Sequence, residues 1–135
     1  LFLNPPLSLD TLPHAMNKAT ILRAEECERV EADWGTLTWF AGGQLGNSDE
    51  MTVGKCVIKP GCSNPPHSHP NCSEVLVVSE GRIAHAIEDG KEVELGEGDV
   101  ITIPPELPHN ARNIGNSDAV LLIAFSSADR EAEGE

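Results

Sequence analysis

The 135-residue chain contains no tyrosine, only two tryptophans and three phenylalanines, and two methionines. Any core must therefore be built from Val, Ile and Leu rather than from rings. Positive charge is also scarce: nine basic residues stand against 22 acidic ones, for a formal net charge of −13. Such a surface repels nucleic acid and anionic lipid at ordinary salt, so no nucleic-acid and no membrane partner is expected. No apolar run approaches the ~20 residues that cross a bilayer, and Leu1 to Leu12 lacks a charged n-region followed by an apolar h-region. A soluble, cytoplasmic protein is the expectation. The first residue is leucine rather than methionine, which implies an upstream piece removed or left out. The four cysteines (Cys27, Cys56, Cys62, Cys72) form no C-x-x-C pair and are too scattered for a disulfide scaffold. Free, mostly buried thiols are expected, with a Cys62–Cys72 disulfide or an extra soft ligand as the alternative.

Helical periodicity is nearly missing as well. Only "RAEECERVEAD" has helical composition, and without a clean apolar face it reads as a solvated turn of helix or an exposed strand edge. What is present instead is punctuation. Ten prolines and twelve glycines separate runs of four to eight residues rich in Val, Ile, Leu and Thr, the signature of an all-β fold. The expected strands are Ala19 to Arg23, Gly35 to Ala41, Met51 to Lys59, Glu74 to Ser79, Arg82 to Glu88, Lys91 to Leu95, Val100 to Ile103, His109 to Asn113 and Ala119 to Phe125. "EDGK" is a D-G hairpin turn, and "SEGR" and "NIGNSDA" are further turns. The length suits one domain. We divide it into an N-terminal arm (1–17), a β domain (18–127) and an acidic tail expected to fray (128–135). Short strands in this number suggest a sandwich or closed barrel.

One stretch carries chemistry. In "GCSNPPHSHPNCSEVLVVSEG", His67 and His69 are two apart and face one side of an extended segment, which lets two imidazoles reach one ion. Pro65 and Pro66 stiffen the approach. Glu74 opens an apolar strand, where a carboxylate needs compensation. His109 follows the rigid "PPELP" turn. Three imidazoles and a carboxylate suit one divalent transition metal (Fe, Mn, Ni or Zn) with room left for water or substrate.

The wider pattern reads G-x5-H-x-H-x4-E-x6-G from Gly61 to Gly81, and G-x5-P-x-E-x2-H-x3-N from Gly98 to Asn113. These resemble the two motifs of the cupin superfamily. Gly61, His67, His69, Glu74 and Gly81 match the first; Gly98, Pro104, His109 and Asn113 match the second, with Glu106 standing where the family usually has glycine. The resemblance implies a jelly-roll (cupin) β-barrel over 18–127, a metal held by His67, His69, Glu74 and His109, a small-molecule substrate, and a homodimer. It also implies that Asn113 supports structure rather than reacting.

If Glu80-Gly81 is a two-residue loop, Ser79 pairs with Arg82, Leu76 with His85 and Glu74 with Ile87. Leu76, Val78, Ile83, His85 and Ile87 then face inward with Glu74; a longer loop puts His85 outside. An inward His85 is the preferred acid/base, with Glu106 at the mouth second. Lys55, Arg82 and Arg112 are candidates for a substrate anion, Lys55 foremost, with surface charge as the simpler reading. Trp34 and Trp39 are expected to fill the core, with a substrate pocket or a dimer face as the alternatives, and His14 is expected in solvent or at an interface. Three functions are carried: dioxygenase or oxidoreductase chemistry on a small organic molecule, Lewis-acid isomerase, epimerase or lyase chemistry on a sugar or hydroxy acid, and metal and ligand binding without turnover. The absence of tyrosine excludes the cysteine-tyrosine crosslink of the cupin thiol dioxygenases and lyase mechanisms that use a catalytic tyrosine.

Overall fold

The computed structural model describes residues 18–134, so the arm 1–17 and its His14 lie outside the described residues. A 3-10 turn at Ala24–Glu26 is followed by β1 (Glu28–Ala32), β2 (Gly35–Ala41), β3 (Thr52–Ile58), β4 (Glu74–Glu80), β5 (Arg82–Glu88), β6 (Lys91–Gly96), β7 (Val100–Ile103), β8 (Ala111–Asn113) and β9 (Ala119–Phe125). They form a six-stranded sheet, ordered β1-β2-β3-β9-β4-β7, and a three-stranded sheet, β6-β5-β8. This is a jelly roll of two facing sheets, and among the described residues no ladder joins one sheet to the other. The core between them draws Ile58, Leu76, Val78, Leu121, Ile123 and Phe125 from the larger sheet and Ile83, Leu95 and Ala111 from the smaller. Alternation along β3 and β9 selects these residues: every second side chain is buried.

The expected strand at Ala19 to Arg23 is not formed. Ile21 in it is 76 % exposed, and among the described residues no strand pairs with it. The first strand lies instead within "RAEECERVEAD", which supplies both the 3-10 turn and the edge strand β1. Among the described residues β1 pairs only with β2, which leaves Arg29 and Glu31 exposed and Glu28 half-buried. The D-G turn is as expected: Glu88 pairs with Lys91 around Asp89-Gly90, and Gly90 has φ +69°.

The expected pairing of β4 with β5 is overturned. β4 is flanked by β7 and β9, with Glu74 opposite Ile103 and Phe125, and β5 pairs with β6 and β8. Gly81 carries the chain from one sheet to the other at φ +85°, where a Cβ would stand 3.0 Å from Ala119 Cα. Leu76, Val78, Ile83 and His85 are inward all the same, because the crossing makes the two strands face one another across the core. Ile87 is not: a bulge between Ala86 and Glu88 changes its side, and it is 38 % exposed.

Asn113 ties the sheets together. Its Nδ2 donates to the carbonyls of Ile58 and Ser117, each at 2.8 Å, and its Oδ1 accepts from the Gly115 amide at 2.8 Å. The residue is 2 % exposed, so alanine leaves buried groups without partners. We expect Asn113→Ala to lower the unfolding free energy by about 3 kcal/mol. Urea denaturation at unchanged m-value checks this, and a loss within error of zero would contradict the bracing role.

Candidate metal centre

The loop after β3 and the segment before β8 are stitched together by their backbones. His67 and His109 exchange amide-to-carbonyl bonds of 3.0 and 2.8 Å, and the Asn113 amide donates to the Cys62 carbonyl at 2.9 Å. Asn64 adds a side-chain bond, its Oδ1 accepting from the Ala111 amide at 2.8 Å. Glu74, at the start of β4, meets them from the other sheet. The four side chains proposed as ligands are thereby brought together: His67, His69, Glu74 and His109 are all buried, with one donor atom from each lying within 4.8 Å of the others. The three imidazole rings stand 4.3 to 5.2 Å apart between centroids.

The orientation of each ring follows from hydrogen bonds to carbonyls, which can only accept. His67 Nδ1 donates to the Pro65 carbonyl (2.9 Å), His109 Nδ1 to that of Leu107 (2.8 Å), and His69 Nδ1 to that of Glu131 (2.9 Å). Each bond commits Nδ1 as a protonated nitrogen and aims Nε2 inward; without a bound cation His109 Nε2 donates to Glu74 Oε1, a proton that a metal would displace. The first two bonds are local. In both "PPH" and "LPH" a residue before proline is held extended, and its carbonyl meets the ring two positions on. The third comes from the far end of the chain.

The donor set fits a divalent cation. His69 Nε2 is fully buried and has no hydrogen-bond partner, an arrangement that costs free energy unless a ligand satisfies it. His109 Nε2 lies 3.0 Å and His69 Nε2 3.4 Å from Glu74 Oε1. Burial alone would raise the Glu74 carboxyl; contacts with His109 and His69, and their charge, outweigh it and bring the pKa down to about 2. Glu74 is thus held as a carboxylate, the form a metal needs.

His85 lies beside the ligands. It is 1 % exposed, its ring is nearly parallel to that of His109 at 5.6 Å, and Nδ1 donates to the Ala86 carbonyl at 2.7 Å. Burial pushes its pKa below the ordinary value of 6.5, so the ring is neutral at neutral pH with Nε2 able to accept a proton. Glu106 is not brought to the cavity. It sits exposed on the turn before His109 with φ +72°, and its amide donates to the His69 carbonyl at 2.9 Å. This left-handed backbone is what a glycine at that position would adopt freely, and it carries the glutamate side chain into solvent.

The cavity enclosed by these groups is narrow, about 30 Å³, room for two or three waters at ~10–15 Å³ each. Trp34, Leu37, Trp39, Leu76, Ile123 and Phe125 wall it. None of the expected cations lines it. Lys55 occupies the outward set of β3, opposite in parity to the buried Cys56. Arg82 and Arg112 are exposed and pair with Glu94 and Glu92 at 3.2 and 2.9 Å. The cation that does line the cavity is Arg130, which sequence reasoning missed because it lies in the segment expected to fray. Residues 128–134 are instead held down. The Asp129 carbonyl accepts from Asn71 Nδ2 (2.8 Å), the Glu131 amide donates to Asn71 Oδ1 (2.9 Å), and Glu133 forms a two-way backbone bridge with Ser68. Among the described residues no disulfide joins any of the four cysteines.

Comparison with known proteins agrees with this geometry. Residues 54–125 match the model of the family described as Cupin domain. The chain is 38% identical over 85 residues to "Probable germin-like protein subfamily 2 member 5" of Arabidopsis thaliana, covering 60% of this chain and 40% of that protein. It is 27% identical over 88 residues to "Oxalate oxidase 1" of Hordeum vulgare, covering 60% of this chain and 44% of that protein. The chain thus spans less than half the length of these curated relatives. Among solved structures it resembles Lactobacillus farciminis oxalate decarboxylase in a formate complex, with a TM-score of 0.74 at 19% identity over 82% of this chain and 34% of that one. It also resembles an uncharacterized conserved protein with a double-stranded β-helix domain from Klebsiella pneumoniae, with a TM-score of 0.70 at 17% identity over 86% of this chain and 96% of that one. These two likenesses concern the fold. With the family model covering more than half of its residues and both motifs converging on one buried cluster, the chain belongs to the cupin family.

Proposed function

We propose that this chain is a metal-dependent cupin enzyme that carries out dioxygenase- or oxidoreductase-type chemistry on a small organic molecule. The observation that carries the reading is the buried cluster of His67, His69, Glu74 and His109, in which His69 Nε2 makes no hydrogen bond and only approaches Glu74 Oε1 at 3.4 Å. The similarity to an oxalate oxidase supports an oxidative use of such a site over Lewis-acid isomerase, epimerase or lyase chemistry. When bound, an open-shell divalent ion such as Mn, Fe or Ni supplies redox capacity and polarises a ligated oxygen. The chain supplies the rest. The carbonyls of Pro65, Leu107 and Glu131 fix the three ligand rings, so little reorganises when a substrate arrives. Leu76, Ile123 and Phe125 keep bulk water out, which strengthens every charge interaction inside. His85, neutral and with Nδ1 already committed to Ala86, takes up or returns a proton at Nε2.

Metal analysis of protein purified without a His tag, followed by oxygen-electrode assays on small hydroxy, oxo and dicarboxylic acids, tests the reading. We expect about one Mn, Fe or Ni per chain and O2 uptake with at least one acid of the panel. Stoichiometric zinc with turnover that ignores O2 would move the protein to Lewis-acid chemistry, and a loaded metal with no turnover at all would leave it a binding protein.

A further inference from the structure

Resting on the metal site just proposed, we infer that the strip after β9 is a clasp coupled to metal occupancy, with Asn71 as the residue that positions it. The three ligand rings are not held alike. His67 and His109 each donate to a carbonyl two residues earlier, so one stiff turn fixes each of them. His69 donates to Glu131, 62 residues away in the sequence. The His69 ring is 2 % exposed, whereas Asp129, Glu131 and Glu133 lie at the surface. A buried ligand therefore takes its orientation from an exposed strip of backbone, and such strips open at lower free energy than core strands do.

The metal loop itself holds that strip. Asn71, two residues beyond His69, donates from Nδ2 to the Asp129 carbonyl at 2.8 Å and accepts at Oδ1 from the Glu131 amide at 2.9 Å. The second bond immobilises the very residue whose carbonyl meets His69. On the other side of the ring, Ser68 and Glu133 exchange backbone bonds of 3.0 and 2.9 Å in antiparallel register. Gly134 closes the strip against the loop: at φ +87°, a Cβ there would stand 2.8 Å from the Pro66 carbonyl oxygen. Arg130 anchors the middle, its Cζ 4.6 Å from the Trp39 ring centroid and 5.1 Å from that of Phe125.

Coupling follows from which nitrogen of His69 carries the proton. With Glu131 in place, its carbonyl requires the proton on Nδ1 and leaves the Nε2 lone pair for a cation. With the strip released that requirement is gone. The proton can then sit on Nε2, which already lies 3.4 Å from Glu74 Oε1, and in that form the ring cannot ligate. In the other direction, a cation on Nε2 compels the proton onto Nδ1 and makes that N–H a stronger donor to Glu131. The clasp tightens the metal and the metal tightens the clasp by the same factor.

The test uses the full chain, stripped by chelator and reloaded with Mn. Free Mn is counted from its aqueous EPR signal, and hydrogen exchange read by mass spectrometry follows residues 128–134 with and without the ion. In the parent we expect Mn to slow exchange there by at least 10-fold. Asn71→Ala should speed that exchange and raise the Mn dissociation constant roughly 10-fold, the lower end of what losing a group that orients a metal-bound imidazole costs. The EPR line shape of the bound ion should change as well, which a merely structural loss would not produce. Asn71→Asp, which keeps the acceptor for the Glu131 amide, should fall between the two. Adding Gly134→Val to Asn71→Ala, which sets a side chain against Pro66, should go further in the same direction, with far-UV circular dichroism guarding the fold. Parental exchange that ignores Mn overturns the coupling, as does a released strip with parental Mn affinity. A strip still protected in every variant removes Asn71 as its anchor and overturns the assignment. Those results leave the metal site standing, whereas a parent that takes up no Mn overturns the site and the clasp together.

Discussion

Replacing His67 and His109 together by alanine is expected to take the protein from about one metal per chain to none detectable. Losing a partner that merely orients a ligand costs roughly 10- to 100-fold in metal affinity, and here two ligands go at once. Their backbone exchange, 3.0 and 2.8 Å, does not depend on the side chains, so the loop should still dock. Plasma mass spectrometry of the purified variant, beside circular dichroism, reads the outcome, and metal retained at the parent level would sink the site assignment. Glu74 supplies a second readout in chelator-treated protein. In the parent its carboxyl is held at about 2, against 4.5 in an unfolded chain, so its contribution to stability is present above 4.5 and is lost as pH falls toward 2. Without His109 the contact that does most to lower it is gone and only His69 still opposes burial, so the carboxyl moves up from its parent position. The stability that Glu74 adds as pH rises from about 2 to 4.5 should therefore shrink in His109→Ala, and a pH dependence equal to the parent's would contradict this role.

The other large effect is expected at His85. Its replacement by glutamine keeps a polar side chain of similar reach but removes a proton acceptor, and turnover should drop by roughly 10²- to 10⁴-fold. Metal content should stay that of the parent, because His85 supplies none of the four donor atoms. The pH profile separates a proton-transfer role from a packing role. Burial keeps the His85 pKa below 6.5, so the acid limb of the parent's kcat/KM profile should lie below that value and disappear in the variant. An unchanged acid limb with lowered kcat would mean that the ring only packs against His109.

Much of the centre is legible in the sequence because its chemistry is local. H-x-H on an extended segment puts two imidazoles on one side, and a glutamate at the head of an apolar strand has to be compensated. The prolines before His67 and His109 mark the stiff turns that aim those rings, although the carbonyls that orient them appear only in the structure. The strands with clean alternation and the Asp89-Gly90 turn are legible for the same reason, since each depends on a few neighbouring residues.

What only the tertiary structure decides is which distant segments meet. A glycine after Glu80 permits a hairpin or a crossing equally, and it is the flanking of β4 by β7 and β9 that makes Gly81 a crossing between sheets. His85 is inward by that route rather than by cross-strand pairing, and Ile87 is outward because of a bulge that no local pattern announces. Lys55 looked like the anion's partner because its neighbours are apolar, but strand parity turns it away from the cavity. The acidic end of the chain carried no periodicity to read, because its order comes from Asn71 and Ser68 about 60 residues earlier rather than from its own sequence. Through that contact the structure sets Glu131 behind His69 and Arg130 over Trp39. Composition and spacing therefore picked out the candidate ligands, while long-range hydrogen bonding determined the groups that surround them.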